Sequence, residues 1–394
     1  MTDALESQAS ALPLTGTSAQ EIAVCLDGLR REVDAIDEQI VRLLAERHAR
    51  VQNVVALKTA CKLPIYHPAR EENLISQRRA QAQQAGLDPD HIEELYRSIL
   101  RQSRVRQTVQ TARRGVRPGA KVLIVGGRGK MGRYFGRWFN ESGYAVRILE
   151  VDDWPRVQAL CDGLALALIS VPIEVTPAVI AQVGPHLPHG CVLADLTSLK
   201  HAAVEAMLAA HAGPVVGLHP LFGPSTSSMD KQLMVMAPGR LSEECQWLID
   251  QMMAWGNVVL PISAREHDDI MNIVQGVRHF ATFSFGQFLW RRNIDLARTL
   301  EFSSPIYRLE LGMVGRLFAQ DASLYANIIF ASPERRALLK DFVHFVAENE
   351  SLLEEGNREK FGAEFRQIAD WFGPFCEQAM RESTFLIDKL VERF

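Results

Sequence analysis

No stretch of this 394-residue chain approaches the roughly 20 consecutive apolar residues that a membrane-spanning helix needs. Its first residues include acids (Asp3, Glu6) and lack a basic segment leading into an apolar one, so no secretory signal is expected. Cysteine is scarce: Cys25, Cys61, Cys161, Cys191, Cys245 and Cys376 lie far apart. Their spacing suits neither a metal site nor a disulfide framework, which predicts reduced thiols, a cytoplasmic location and no bound metal. Neither sign of charge dominates, the net value being −4, so nothing draws the whole chain to nucleic acid. What is plentiful is apolar residue, 47% of the chain, enough at this length for two or three separate cores.

The most informative stretch runs from Lys121 to Trp154. An apolar run, Val122 to Val125, reads as a buried strand. It leads into Gly127-x-Gly129-x-x-Gly132, then a helical pattern of aromatics (Tyr134, Phe135, Trp138, Phe139) ending at Gly143. A second strand, Ala145 to Leu149, closes on Glu150, which is 23 positions after Gly127. Strand, glycine turn, helix, strand and acid form the dinucleotide-binding fingerprint in its required context. Gly127 is expected to make the tight turn, Gly129 to admit the pyrophosphate, and Gly132 to let the helix pack on the strand. The helix N-terminus offers N–H groups to phosphate. A carboxylate at Glu150 accepts ribose hydroxyls and repels a 2′-phosphate, which favours NAD, although Arg128, Lys130 and Arg147 pull the other way. The plain alternative is a glycine-rich turn that binds nothing.

Upstream, residues 1–24 are polar and poor in apolar anchors, and a disordered tail is predicted. From Leu26 an apolar seam at spacings of 3 and 4 (Leu29, Val33, Ile36, Ile40, Leu43) marks a long helix. Arg47 and Lys58 take up positions where the seam asks for aliphatics. They are 11 residues apart, about 20° from eclipsed, so both could reach one small polyanion. Arg30 points about 100° away from Arg47, which suits a role in another subunit. A second helix follows from about Ala69 to Ala85. A third begins at Asp88-Pro89, with Ser103 and Gln107 one turn apart on a single face. Pairing of the two seam cations with Glu71 or another acid inside a bundle is the competing reading. Residues 111–120 read as a linker, and its arginines, with Arg97, Arg101, Arg104 and Arg106, as solvated side chains rather than a nucleic-acid patch.

Beyond the fingerprint, buried-strand signals recur at Ala165–Val171, Val192–Leu196, Val215–Leu218 and Val258–Ile262, with helical stretches between them. A mostly parallel sheet is the natural outcome. Ligands of such sheets lie beyond the strand carboxyl ends, which is where Ser198, Lys200 and His219 fall. His219 is a candidate general base, with a loop-capping histidine as the alternative. From Ala264 onward helices dominate. His279 falls in an aromatic run (Phe280, Phe283, Phe285, Phe288) expected to be core. Arg308 and Arg316 are about 80° apart on an otherwise apolar helix, where an arginine usually meets a carboxylate.

Two resemblances organise these readings. Residues 25–110, through Leu29 to Glu38, Leu44 to Arg47, Lys58, Pro64-Ile65 and Arg70-Glu71, resemble the all-helical chorismate mutases, with Ser103 and Gln107 at the family's spacings. His67 stands where some members carry an acid, and no role is assigned to it. The resemblance implies interlocked chains. Arg30 from the partner would join Arg47 in holding the carboxylates, Lys58 and Gln107 would reach the ether oxygen, Glu71 the ring hydroxyl, and Ser103 a carboxylate. Residues 120–394 resemble prephenate dehydrogenases. The specific runs are Gly126 to Gly132, Ser170-Val171-Pro172, Gly217 to Pro224, Glu266-His267-Asp268, Arg278 to Phe283 and Ser303 to Gln320. This implies NAD held by Gly127, Arg128, Gly129, Met131, Gly132, Glu150 and Ser170. It makes His219 the residue on the substrate hydroxyl, with Ser198 supporting it, Arg316 on a carboxylate, and Lys200, His279 and Arg308 lining the site. The order of parts is that of fused chorismate mutase–prephenate dehydrogenases, which make 4-hydroxyphenylpyruvate for tyrosine synthesis. A multidomain α and α/β chain is therefore expected: tail 1–24, mutase domain 25–110, linker 111–120, Rossmann-type domain 121–263 and helical substrate and dimerisation domain 264–394. A homodimer restrained by tyrosine follows from the resemblance, and arogenate is an alternative substrate. A single-activity dehydrogenase with a helical assembly module, or a non-enzymatic NAD sensor, would leave several of these side chains without use.

Overall fold

A computed structural model describes residues 19–60, 68–111, 115–226 and 228–391, and divides them between two compact units, before and after residue 111. The first unit is three helices: α1 (Ala19–Ala60), α2 (Pro68–Gln84) and α3 (Pro89–Thr111). α1 starts inside the stretch predicted as a tail and runs 42 residues, because nothing between Gly28 and Ala60 breaks the helix. Asp88 closes a turn on the Asp90 N–H at 2.9 Å and Pro89 opens α3, as the start signals require. The seam of α1 is not covered among the described residues: Leu26, Leu29, Val33, Ile36, Ile40 and Leu43 are 45–61% exposed.

The second unit is built on a seven-stranded sheet of order β2-β1-β3-β4-β5-β6-β7. The strands are β1 (Lys121–Val125), β2 (Ala145–Leu149), β3 (Leu164–Ile169), β4 (Val192–Asp195), β5 (Val215–Pro220), β6 (Leu233–Arg240) and β7 (Val258–Pro261). All neighbours are parallel except β5 and β6. β6 has no counterpart among the predicted strands: its hydrophobic run breaks at Pro238-Gly239, yet it pairs antiparallel with β5. Alternate residues of β1 enter different cores. Val122 and Ile124 face Tyr134, Phe135, Trp138, Phe139 and Trp255, while Leu123 and Val125 face Leu149, Ile169, Ile180 and Leu193. Burial on both faces is why these strands read as continuous apolar runs.

Residues 115–120 do not hang loosely before β1. The N–H of Gly115 donates to the Ser142 carbonyl (2.8 Å) and that of Gly119 to Gly143 (2.7 Å). The Val116 N–H and the Tyr144 hydroxyl both donate to the buried Gln251 Oε1, at 2.7 and 2.6 Å. Part of the predicted linker is thus a strap stitched to the sheet-containing unit.

After β7 the chain is helical. A short helix, Ala264–Met271, runs without interruption through a π-helical turn, Asn272–Val277, into the 14-residue helix Arg278–Arg291. Helices Pro305–Phe318, Ala322–Ile329, Pro333–Glu355, Arg358–Phe372 and Phe375–Val391 follow. Phe283 and Phe288, expected in a core, are 37% and 55% exposed, as are many apolar residues of these last helices. No helix among the described residues is long and apolar enough to cross a membrane.

Candidate functional site

The glycine turn sits at the carboxyl end of β1, where the sheet order reverses between β1 and β3. Gly126, not Gly127, adopts the left-handed conformation (φ +78°), and a Cβ there would also lie 2.5 Å from the Ser170 carbonyl. Gly127 instead lies against Ile148, where a Cβ would approach within 2.9 Å. With three glycine positions in the run Gly126-Gly127-Arg128-Gly129, sequence alone assigned the turn one residue late. Gly132 packs as expected: a Cβ would stand 2.5 Å from the Gly126 carbonyl. Helix Lys130–Glu141 begins directly after Gly129, which carries no side-chain cap, so its first N–H groups stay available. Met131 leans on the core below, Arg128 is exposed, and Ser170 stands half-buried at the end of β3. Glu150 accepts the Arg128 N–H at 2.6 Å, which ties the acid to the glycine turn. Arg147 donates to the carbonyls of Leu160 (2.8 Å) and Asp162 (2.9 Å) and is engaged away from any 2′-phosphate.

Along the same edge of the sheet, β4 ends at Asp195 and β5 at His219-Pro220. Lys200 was expected to line the substrate site. It is wholly buried, pairs with Asp195 and donates to the Leu218 carbonyl at 2.8 Å. A lysine this deep needs a carboxylate beside it, and burial pulls its pKa down nonetheless. It therefore lies behind the strand that carries His219. Ser198 is half-buried on the loop after β4 and makes no hydrogen bond to the His219 ring.

The partners of His219 come from further along the chain. Its Nδ1 lies 2.8 Å from Nε2 of His267, whose Nδ1 lies 2.7 Å from Oδ1 of Asp268. Asp268 in turn accepts the backbone N–H groups of Lys200 (2.8 Å) and His201 (3.0 Å), at the start of helix His201–Ala210. Burial would raise the Asp268 pKa, but these hydrogen bonds hold it below the usual carboxylate range. The other nitrogen of His219, Nε2, has the Gln275 side-chain amide at 3.4 Å. Only 3% of His219 is exposed. Burial, with Lys200, His267 and Arg335 nearby, drives its pKa far down, and the ring is neutral at ordinary pH.

His279 lies on the helix beyond the π-turn, buried edge-on against Tyr325 at 4.9 Å, with its pKa lowered to about 4 by burial, Arg278 and Arg335. Arg335 is fully buried. Its Nε donates to Asn272 (2.8 Å) and its Nη1 to the Ile328 carbonyl (2.6 Å), while Gly276 leaves room for its side chain. Arg308 donates to the Leu300 carbonyl, and Arg316 is exposed, with no ion-pair partner among the described residues. His267 and Asp268 stood in a quoted run without a role, and Gln275 and Arg335 were not singled out from sequence. They lie 48 to 116 residues from His219, beyond any local spacing signal.

In the helical unit, Arg47 donates to the Ser103 hydroxyl at 2.9 Å, joining α1 to α3. Glu71 does not pair with Arg47. Both its oxygens accept from a single guanidinium nitrogen, Nη1 of Arg104 (2.5 and 2.6 Å), an arginine that is 7% exposed rather than solvated. Arg97 is likewise engaged, by Glu72 and Glu93. Arg30 is exposed and meets Asp27 at 3.3 Å. The side chains of Lys58 and Gln107 lie outside the described residues. Among those described, no group of His, Cys, Asp and Glu could hold a metal.

Three family descriptions match in chain order. They are type II chorismate mutase over 29–108, the nucleotide-binding domain of prephenate dehydrogenase over 142–256, and the prephenate dehydrogenase dimerization domain over 263–367. The T-protein of Enterobacter agglomerans is 44% identical, covering 92% of this chain and 97% of its own length. That of Haemophilus influenzae is 39% identical over the same shares. A prephenate dehydrogenase structure from Aquifex aeolicus, solved with hydroxyphenyl propionate and NAD+, shares the fold. It does so at a TM-score of 0.51 and 16% identity, covering 63% of this chain and 96% of that one. With two separate sites on one chain and relatives alike from end to end, the chain belongs to the T-protein family, the bifunctional chorismate mutase–prephenate dehydrogenases.

Proposed function

We propose that the two family activities are carried here by named side chains acting in sequence: chorismate to prephenate in the helical unit, then prephenate to 4-hydroxyphenylpyruvate in the dehydrogenase unit. The first step breaks a C–O bond as a C–C bond forms and needs no proton transfer. The protein's task is to hold the reactive conformer and to stabilise charge on the ether oxygen. Arg47, with Ser103 beside it, holds one carboxylate, and Arg30 of a second copy holds the other. Lys58 and Gln107 donate to the ether oxygen, and Glu71 accepts from the ring hydroxyl. The uncovered seam of α1 supports a homodimer, since a stripe of six exposed aliphatics fits a second copy of the same helix.

For the second step the residues present suit NAD. The helix start after Gly129 is open to pyrophosphate, Gly132 allows the close helix-on-strand packing, and Glu150 stands where a ribose would lie. When bound there, NAD would supply the hydride acceptor for the ring carbon that bears the substrate hydroxyl. His219 accepts the proton of that hydroxyl, so that the oxygen becomes carbonyl-like; the ring carboxylate departs as CO2, the electrons of the broken C–C bond make the ring aromatic and place a pair on that oxygen, and His219 returns the proton to give the phenol. Arg316 holds the remaining carboxylate, and Ser198, His279 and Arg308 shape the pocket. The observation that carries this reading is a buried, neutral His219 on the same sheet edge as the glycine turn. Tyrosine, with the product's phenol and a carboxylate, is proposed as an inhibitor at the dehydrogenase. The five described cysteines, all free, support a cytoplasmic location.

Steady-state kinetics of both activities in wild type, Lys58→Ala and His219→Asn test this. Lys58→Ala is expected to abolish the mutase and spare NADH formation from prephenate. His219→Asn is expected to cost the dehydrogenase about 10²–10⁴-fold with NAD binding intact. Unchanged rates in either variant remove that residue from the mechanism.

A further inference from the structure

The proton wiring behind His219 follows from which atoms can only donate and which can only accept. Backbone N–H groups cannot accept, so an Asp268 carboxyl that meets two of them, from Lys200 and His201, presents lone pairs on both oxygens. The nitrogen of His267 that faces Asp268, Nδ1, therefore carries a hydrogen. A neutral His267 then has a bare Nε2, and the only partner it can take at 2.8 Å is an N–H on His219 Nδ1. That leaves His219 Nε2 as a lone pair. Gln275 is placed to suit it: its amide NH2 faces Nε2 at 3.4 Å, a long contact that a substrate hydroxyl can displace.

We propose that His267 and Asp268 are positioning residues of the dehydrogenase: fastened to the first turn of helix His201–Ala210, they fix the proton of His219 on Nδ1 and reserve Nε2 for the substrate hydroxyl. The inference rests on His219 being the base, as proposed above, and adds what makes it a base at one particular nitrogen. When Nε2 takes the substrate proton, the positive ring formed is held through His267 by the Asp268 carboxylate, which needs no rearrangement to do so. Lys200 and Arg335 act oppositely. Both are buried cations beside the ring, and they disfavour its protonation before substrate arrives.

The test is Asp268→Asn in the full-length chain. The asparagine oxygen can stand in for only one carboxylate oxygen: at the Oδ2 position it keeps the His201 N–H, and its NH2 takes the Oδ1 position, facing His267 Nδ1 and leaving the Lys200 N–H without its acceptor. Every donor along the line becomes an acceptor, and His219 carries its proton on Nε2. The expected result is a fall in dehydrogenase kcat of about 10²–10⁴-fold, with NAD affinity, read by tryptophan fluorescence, unchanged. In ¹⁵N-histidine-labelled protein the His219 signals should pass from the Nδ1–H to the Nε2–H pattern. His267→Gln places an amide oxygen near the position of Nε2, can still accept from His219, and should keep kcat within about tenfold. Wild-type kcat in Asp268→Asn, or a wild-type spectrum already showing Nε2–H, overturns the proposal while leaving His219 as the base. Full activity in His219→Asn would instead overturn the base assignment itself. The wild-type spectrum needs no variant, so a misfolded Asp268→Asn protein leaves the question decidable.

Discussion

The two units of this chain solve the same problem, holding a small anion for a precise reaction, in opposite ways. In the dehydrogenase unit His219, the proposed base, His267, Asp268 and the helix start that receives them lie in one chain, with His219, His267 and Lys200 buried. In the helical unit Arg30 and Arg47 lie on a helix whose apolar seam is exposed, and among the described residues Arg30 meets only Asp27. On the proposed reading, a sheet buried on both faces fixes a proton path alone, whereas three helices with an exposed seam would draw on a second copy to become a pocket.

The sharpest way to break that contrast is Ile36→Asp, which sets a charge on the α1 seam. If the seam is an interface, burying that carboxylate costs several kcal/mol, and mutase activity should fall about 100-fold or more. NADH formation from prephenate should stay within about twofold; equal losses in both activities would show that the units do not differ in this way. Next is Asp195→Ala, which strands the buried ammonium of Lys200 and should cost roughly 3–5 kcal/mol in urea unfolding. An unmoved midpoint would mean the dehydrogenase core is less prewired than its burial implies. A gentler probe is acid. Burial lowers the His279 pKa from its usual 6.5 to about 4 in the folded chain, so below pH 6.5 the unfolded chain binds the extra proton first. Stability should fall as pH drops from 6.5 toward 4, by up to about 3 kcal/mol from this residue. The slope should flatten in His279→Asn, and equal slopes in both proteins would contradict its buried neutral state. Least of all, Gln251→Leu removes the acceptor that holds the strap at Val116 and Tyr144, and should cost about 1–3 kcal/mol. No loss in unfolding measurements would return residues 115–120 to the status of a plain linker.

Much of this was legible in the chain. The glycine turn, Glu150 and six of the seven strands carry local signals, because a strand buried on both faces must be apolar throughout and a close helix-on-strand contact must be glycine. β6 was not legible, since Pro238 interrupts its run and only pairing with β5 makes it a strand. Lys200 and Arg104 looked like side chains for ligand or solvent. Their true partners, Asp195 and Glu71, reach them through folding, and spacing alone cannot reveal which way a long side chain turns. His267 and Asp268 were visible as a motif but mute as chemistry, because their meaning depends on His219 arriving from a different strand.

The π-turn Asn272–Val277 holds one more consequence. It accommodates an extra residue between two stretches of regular helix, and so sets the phase of everything after it. Deleting a single residue there would let the segment rewind as ordinary α-helix and rotate the Arg278–Arg291 helix by about 100°. His279 would swing off Tyr325, and Gln275 would lose its line to the imidazole. The geometry around His219 and His279 thus hinges, at this one turn, on a count of residues.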